Sequence, residues 1–245
     1  MELSCTNEGF RVFAKKSENV IIPALREQIQ VQEQQTITVY TDGSCINNGS
    51  EDATAGSGIW YGDEDNRNKA FRVSGPVQSN QTGELMAVLE AIKQTPEYIP
   101  LLIKSDSEYM IKGLTVHLAN WEDKGWLGVT NKEIFKTITA WMRCRASPTM
   151  IQWVKGHNNE KGNDEADRLA GLGALIPQDD ELDLSVPEGF NLQGAKLSAM
   201  KQSDLYKGIR SERKRAERRK TTINLDKERW AIKELNGTLL FDERI

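Results

Sequence analysis

Two aspartates each follow a short apolar segment that is typical of a buried strand. Asp42 comes after ITVYT, and Asp106 comes after LLIKS. A carboxylate at such a position is costly to bury unless a partner compensates for its charge. Neighbouring parallel strands lie about 4.8 Å apart, so two such endings would meet at the same edge of a sheet. Each aspartate could also serve only as a cap of a turn or of a helix start.

Two further acids stand in segments with helical periodicity. Glu84 lies near the start of GELMAVLEAIKQ, where a glutamate often serves only the helix dipole. In GNDEADRLAGLGAL, Asp164 suits the first turn, whereas Asp167 borders the apolar stripe and suits a position against the domain body. Four carboxylates without a cluster of cysteine or histidine predict hard oxygen ligands for Mg²⁺ or Mn²⁺. Two such ions can activate a water and stabilise the leaving oxygen of a phosphodiester.

The segments around these acids predict an α/β fold. Three strand-like segments come in series, and strands then alternate with helices, which indicates a sheet that is antiparallel first and parallel later. The predicted strands are 37–41, 55–61, 70–75, 101–106 and 149–154, and the predicted helices are 83–94, one from about Ser107, 131–144 and 162–175.

The composition is typical of an intracellular protein, cytoplasmic or nuclear, that is not secreted. The three cysteines show no CxxC spacing, and the sequence starts without the basic and apolar plan of a signal peptide. No apolar run approaches the roughly 18 residues that would span a membrane. We therefore expect free thiols and no membrane partner.

Composition also divides the chain into four parts. Residues 1–35 are predicted to be a Gln/Glu-rich leader or linker, 36–176 the folded domain, 177–195 an acidic linker and 196–245 a charged, partly helical tail. The net charge of the chain is -4, yet the stretch from Lys207 to Lys220 carries eight basic and two acidic residues. Most of the basic surface is therefore expected in the tail.

Five motifs in the predicted folded domain together resemble the type 1 ribonuclease H family. They are TDGSC (41–45), GELMAVLEAI (83–92), SDSEY (105–109), NWEDKGW (120–126) and WVKGH with GNDEADRLA (153–170). The resemblance implies the RNase H-like fold, a mixed five-stranded sheet flanked by helices. It also implies an endonuclease that cuts the RNA strand of RNA–DNA hybrids with two Mg²⁺ ions, replaceable by Mn²⁺, leaving 5′-phosphate and 3′-hydroxyl ends.

The resemblance assigns roles to residues of this chain. The catalytic, metal-binding carboxylates fall on Asp42, Glu84, Asp106 and Asp167, and His157 matches a histidine that assists proton transfer or product release. Asn48 and Asn80 match contacts near the 2′-hydroxyls that distinguish RNA from DNA. Ser79 and Asn131 match a DNA phosphate pocket, and Trp121, with Trp126 and His117, matches an aromatic substrate region. Without the resemblance, these would be ordinary turn, cap, surface or core residues.

Gly43 and Ser44 are expected to let the backbone approach the RNA strand.

The segment 120–126 departs from the family pattern. Glu122 and Asp123 stand where lysine or arginine is common, and affinity for a polyanionic hybrid comes mainly from neutralised phosphates. We hypothesise that Lys207–Lys220 supplies the missing positive charge; a solvated helix or a nuclear-import patch explains that stretch equally well.

The order of segments along the chain is similar to the region downstream of reverse transcriptase in retrotransposon polyproteins. Reverse transcriptase is therefore an expected partner. The catalytic domain itself is expected to be monomeric. The alternatives are a non-catalytic RNase H-like module that binds nucleic acid, and another nuclease on the same fold. The presence of all four acids favours the enzyme, and the VKGH and NWxxxGW segments disfavour the other nucleases.

Overall fold

The computed structural model describes residues 11–13, 35–156, 160–177, 183–190 and 192–212. The chain divides into two compact units, residues 1–200 and 201–245. The first unit holds the sheet, and the second holds one described helix. Within the described residues, no helix is long and apolar enough to cross a membrane.

The first unit is built on a five-stranded sheet. The chain forms β1 (Arg11–Val12), β2 (Ile37–Ile46), β3 (Thr54–Trp60), β4 (Lys69–Arg72), β5 (Leu101–Ser105), β6 (Thr149–Trp153) and β7 (Ala195–Lys196). The large sheet has the order β4-β3-β2-β5-β6, and β1 pairs separately with β7. Pairs β2–β3 and β3–β4 are antiparallel, whereas β2–β5 and β5–β6 are parallel. This topology confirms the predicted mixed sheet.

The first unit also contains helices. They are α1 (Asn80–Gln94), α2 (Glu108–Lys112), a π-helical turn (Gly113–His117), α3 (Leu118–Asp123), α4 (Lys132–Cys144) and α5 (Lys161–Leu175). The second unit, described by itself, contains α6 (Gln202–Glu212). Helix α1 buries Leu85, Val88 and Leu89 in the core, because its apolar residues extend around most of its circumference. Helix α5 packs on β2 and β3 through small side chains, Ala166, Ala170 and Ala174, which allow a close approach.

The end of β2 differs from the prediction. The strand does not stop at Asp42 but continues to Ile46, and Asp42 lies opposite Gly58 of β3. The parallel partner β5 ends first, and the last pair between the two strands is Tyr40 with Lys104. Pairing with β3 therefore carries the strand past the carboxylate, an effect that the local sequence of β2 does not contain.

Gly43 has a packing role that the sequence interpretation did not include. A side-chain carbon at this position would lie 2.1 Å from the backbone nitrogen of Glu84 and 2.7 Å from the carbonyl oxygen of Asn80. The absence of a side chain therefore allows the start of α1 to lie directly on β2. The approach of the backbone at Gly43 and Ser44 to an RNA strand stays a prediction.

A C-terminal segment of the first unit, residues 183–190 and 192–200, packs on α1 and α4. Lys93 forms an ion pair of 2.6 Å with Asp183, and the Trp141 indole donates to the Ser185 carbonyl oxygen at 3.0 Å. Further on, Ala195 is fully buried. These contacts fall largely within the stretch predicted to be an acidic linker, and they attach its described part to the domain.

Candidate active site

The two strand carboxylates lie side by side at the carboxyl edge of the parallel strands. The register pairs Tyr40 with Lys104, two residues before each of these acids, and the charge of Asp106 acts on Asp42. Asp42 is buried, and its Oδ1 accepts a hydrogen bond of 2.7 Å from the Gly43 amide. Asp106 Oδ2 accepts a hydrogen bond of 3.1 Å from the side-chain amide of Asn163 on α5. The two acids are therefore oriented by different elements.

Glu84 reaches this edge from α1. The helix begins at Asn80, so Glu84 lies beyond its first turn, and service to the helix dipole does not explain it. The Ser107 hydroxyl donates to Glu84 Oε2 and accepts from the backbone amide of Met110 at 3.2 Å. One side chain thus caps α2 and fixes the direction of the Glu84 carboxylate.

Asp167 completes the group from α5. It is exposed, and its charge acts on Asp42. Asp164, one turn earlier, is also exposed, and it is the acid in the first turn of the helix. The structure thus brings Glu84, Asp106 and Asp167 within electrostatic reach of Asp42.

The electrostatics of this group favour a positive ligand. The pKa of Asp42 is raised to about 8. Burial is the largest cause, the charge of Asp106 comes next, and Asp167 and Glu84 have smaller effects. The hydrogen bond from the Gly43 amide acts in the opposite direction. Burial also raises the pKa of Glu84; Asp106 adds to this, and the Ser107 hydroxyl opposes it. Both pKa values are raised because an ionised carboxylate is poorly solvated at this place and lies near other negative charges.

The donor set fits divalent cations by its chemistry, since it consists of carboxylate oxygens. Within the residues that the structure describes, no three Asp, Glu, His or Cys side chains are grouped closely enough to hold an ion.

The comparisons with known proteins match the part of the chain that carries these acids. The family model described as RNase H matches residues 34–175. The chain belongs to the ribonuclease H family. It is 38% identical over 142 residues to ribonuclease H of Schizosaccharomyces pombe, covering 56% of this chain and 52% of that protein.

Two further comparisons show how much of each ribonuclease H is matched. Ribonuclease H of Bordetella avium is 33% identical over 146 residues, which cover 56% of this chain and 89% of that protein. The chain thus spans about half of the yeast protein and most of the bacterial one. A solved type 1 ribonuclease H, LC9-RNase H1, has 23% identity and a TM-score of 0.44, covering 71% of this chain and 84% of that one.

The asparagines expected to contact substrate lie at the surface. Asn48 is exposed in the turn between β2 and β3, and Asn80 is exposed in the first turn of α1. Asn131 precedes α4 with a positive φ of 55° and donates weakly, at 3.5 Å, to the Tyr109 hydroxyl. The charge of Glu84 acts on Tyr109, so Asn131 and Glu84 share Tyr109 as a neighbour.

The expected phosphate pocket is only partly polar. Ser79 caps α1 by accepting from the Thr82 amide at 3.1 Å. Thr82 and Asn131, but not Ser79, line a cavity of about 310 Å³ whose other walls include Val77 and Leu184.

The aromatic region combines core and surface. Trp126 is 3% exposed and belongs to the core, so it is not available to a substrate. Trp121 is half-buried against Phe135, with ring centroids 5.2 Å apart, and His117 lies 5.3 Å from Trp121. Glu122 forms two hydrogen bonds with Arg143, of 2.6 and 2.8 Å, which offset part of the acidity of this segment.

Two predicted features lie outside the described residues. His157 is one of them, although Gly156, the residue before it, lies against the Asp106 carboxylate. The other is most of the basic stretch, of which the structure describes only residues 207–212.

The sequence interpretation missed two polar residues of the site, Ser107 and Asn163. Both stand inside motifs that carry an acid, SDSEY and GNDEADRLA, and their position near that acid was the available signal.

Proposed function

We propose that this protein hydrolyses the RNA strand of RNA–DNA hybrids, leaving 5′-phosphate and 3′-hydroxyl ends. The observation that supports this most is the electrostatic coupling of Asp42 with Glu84, Asp106 and Asp167 in a chain that belongs to the ribonuclease H family.

The four acids would hold two Mg²⁺ ions, or Mn²⁺ in their place. When bound, such ions supply an activated water and stabilise negative charge on the scissile phosphate. Asp42 on β2 and Asp106 after β5 would hold cations from the side of the strands. Glu84 and Asp167 would hold them from the side of the helices. Ser107 and Asn163 would keep their carboxylates directed, because each donates to a carboxylate oxygen.

The remaining residues would handle the substrate. Asn48 and Asn80 are proposed to contact the hybrid near its 2′-hydroxyls, and their exposure agrees with this role. Asn131 and Ser79 would bind a DNA phosphate, and Trp121 would contact the substrate backbone through its accessible face. His157 is proposed to assist proton transfer or product release.

A second candidate is a module that binds hybrids without cutting them. The spacing of the acids, with no three grouped closely enough for an ion in the described part of the chain, is the observation that keeps it under consideration. A polyprotein context with reverse transcriptase is proposed only on the order of the flanking segments.

Cleavage of end-labelled substrates separates these functions. The wild-type protein with Mg²⁺ should cut an RNA–DNA hybrid but not double-stranded RNA, and Asp106→Asn should not cut the hybrid. Asp52→Asn, an exposed aspartate in the β2–β3 turn, is the matched control and should cut normally. Binding of the hybrid without cleavage would support the non-catalytic module; cleavage that survives Asp106→Asn would refute the mechanism.

A further inference from the structure

A polar cluster joins the start of α5 to the two strands that carry Asp42 and Asp106. The Tyr40 hydroxyl donates to Glu160 Oε1 at 2.5 Å, and the Lys104 ammonium donates to the Tyr40 oxygen at 3.0 Å. The same ammonium lies 3.5 Å from Glu160 Oε1. Each of the three side chains therefore contacts the other two.

The positions of these residues in the fold are specific. Tyr40 and Lys104 are direct partners in the parallel β2–β5 register, two residues before Asp42 and Asp106. Side chains two residues apart on a strand point to the same face, and Tyr40 points to α5, because Gly162 of that helix lies against its ring. Glu160 is the residue immediately before α5, and its backbone carbonyl oxygen accepts a hydrogen bond of 2.9 Å from the backbone amide of Asn163.

The first turn of α5 also rests on the ring of Tyr40. A side-chain carbon at Gly162 would lie 2.4 Å from two carbons of that ring, so the helix backbone and the ring are in direct contact. This turn contains Asn163, whose side-chain amide donates a hydrogen bond to the Asp106 carboxylate. A path of contacts thus runs from Tyr40 and Lys104, through Glu160, to the orientation of the Asp106 carboxylate.

We propose that Tyr40, Lys104 and Glu160 are positioning residues that set the first turn of α5 against β2 and β5, and so hold Asn163 on Asp106. The proposal rests on the function proposed above. The cluster directs one carboxylate of the candidate cation site without contacting the cation or the hybrid.

The test uses Tyr40→Phe and Glu160→Gln, which remove hydrogen bonds but keep the shape of the side chains. Lys161→Gln is the matched control, because it removes a neighbouring exposed ion pair with Asp63, of 2.6 Å, that does not reach the strands. Two properties are measured for each variant of the whole 245-residue chain. The first is the Mg²⁺ concentration that gives half of the cation-induced rise in unfolding temperature. The second is the pair of kinetic constants, kcat and KM, for the hybrid.

We expect Tyr40→Phe and Glu160→Gln each to raise the half-effect Mg²⁺ concentration and to lower kcat at limiting Mg²⁺, both about three- to tenfold. These factors correspond to about one partly exposed charged hydrogen bond. KM for the hybrid should not change, and Lys161→Gln should match wild type. The double variant Glu160→Gln/Asn163→Ala should be no slower than Asn163→Ala alone, because both residues act along one path.

The inference is overturned if both variants match Lys161→Gln in Mg²⁺ dependence, or if the double variant shows the product of two independent losses. A wild-type protein that binds Mg²⁺ but does not cut the hybrid would refute the proposed function alone, because the thermal readout still decides the inference. A wild-type protein whose unfolding temperature ignores Mg²⁺ would overturn the inference, while cleavage of the hybrid would still decide the proposed function.

Discussion

Replacement of Asp42 by asparagine is expected to stabilise the cation-free protein at neutral pH while abolishing cleavage. The pKa of Asp42 is raised from 3.8 to about 8 in the folded state, mainly by burial and by Asp106. The folded state therefore binds the proton more tightly than the unfolded state, so stability is complete below about pH 4 and is lost as the pH rises to about 8. Glu84, whose pKa is also raised, acts in the same direction.

The size of the effect follows from linkage. Between pH 5 and pH 7, Asp42 is mostly protonated in the folded state and ionised in the unfolded state, so each pH unit lowers the free energy of unfolding by about 1.4 kcal/mol. Asp42→Asn removes this pH dependence. The free energy of unfolding of wild type should therefore fall by about 3 kcal/mol more than that of the variant between pH 5 and pH 7.

Urea unfolding in the presence of a chelator measures this difference. Asp52→Asn, in the exposed β2–β3 turn, should show the pH profile of wild type. Addition of Mg²⁺ should stabilise wild type more than Asp42→Asn, because a bound cation replaces the proton. Parallel pH profiles for wild type and Asp42→Asn would refute the electrostatic reasoning on which the site is based.

Three further predictions concern other parts of the chain. His157→Ala should lower kcat about a hundredfold with little change in KM, because loss of a proton-transfer group leaves the carboxylates in place; steady-state kinetics measure this, and an unchanged kcat would exclude the role. A chain that ends at residue 176 lacks the contacts of the C-terminal segment with α1 and α4. Its free energy of unfolding in urea should therefore be about 2 kcal/mol lower than that of a chain that ends at residue 200. Equal unfolding midpoints of the two chains would contradict those contacts. Removal of residues 201–245 should weaken hybrid binding and flatten its salt dependence, since each lost phosphate contact reduces the slope by about 0.9; unchanged affinity at all salt concentrations would exclude the tail as a nucleic-acid grip.

Much of the fold follows from local sequence patterns. The order of strands and helices could be predicted because buried strands such as LLIKS and the apolar helix from Gly83 to Gln94 show their periodicity directly. The end of β2 could not, because the extension to Ile46 depends on pairing with β3. The contact of Gly43 with α1 likewise depends on how two distant segments pack.

The site was predictable to a different degree. The resemblance selected Asp42, Glu84, Asp106 and Asp167, and in the structure the charges of the other three act on Asp42. The hydrogen bonds from Ser107 and Asn163 join residues 23 and 57 positions apart, so no local pattern contains them. The burial of Trp126 against Phe135 was also not readable from spacing alone.

The most direct test of the proposed function compares two neighbouring acids of α5. Asp167 acts electrostatically on Asp42, whereas Asp164 is an exposed acid of the first turn. With Mg²⁺ and a uniformly labelled RNA–DNA hybrid, Asp164→Asn should cut at the rate of wild type, and Asp167→Asn should lose at least a hundredfold in kcat. Equal rates for the two variants, or no cutting by wild type, would contradict the four-carboxylate mechanism.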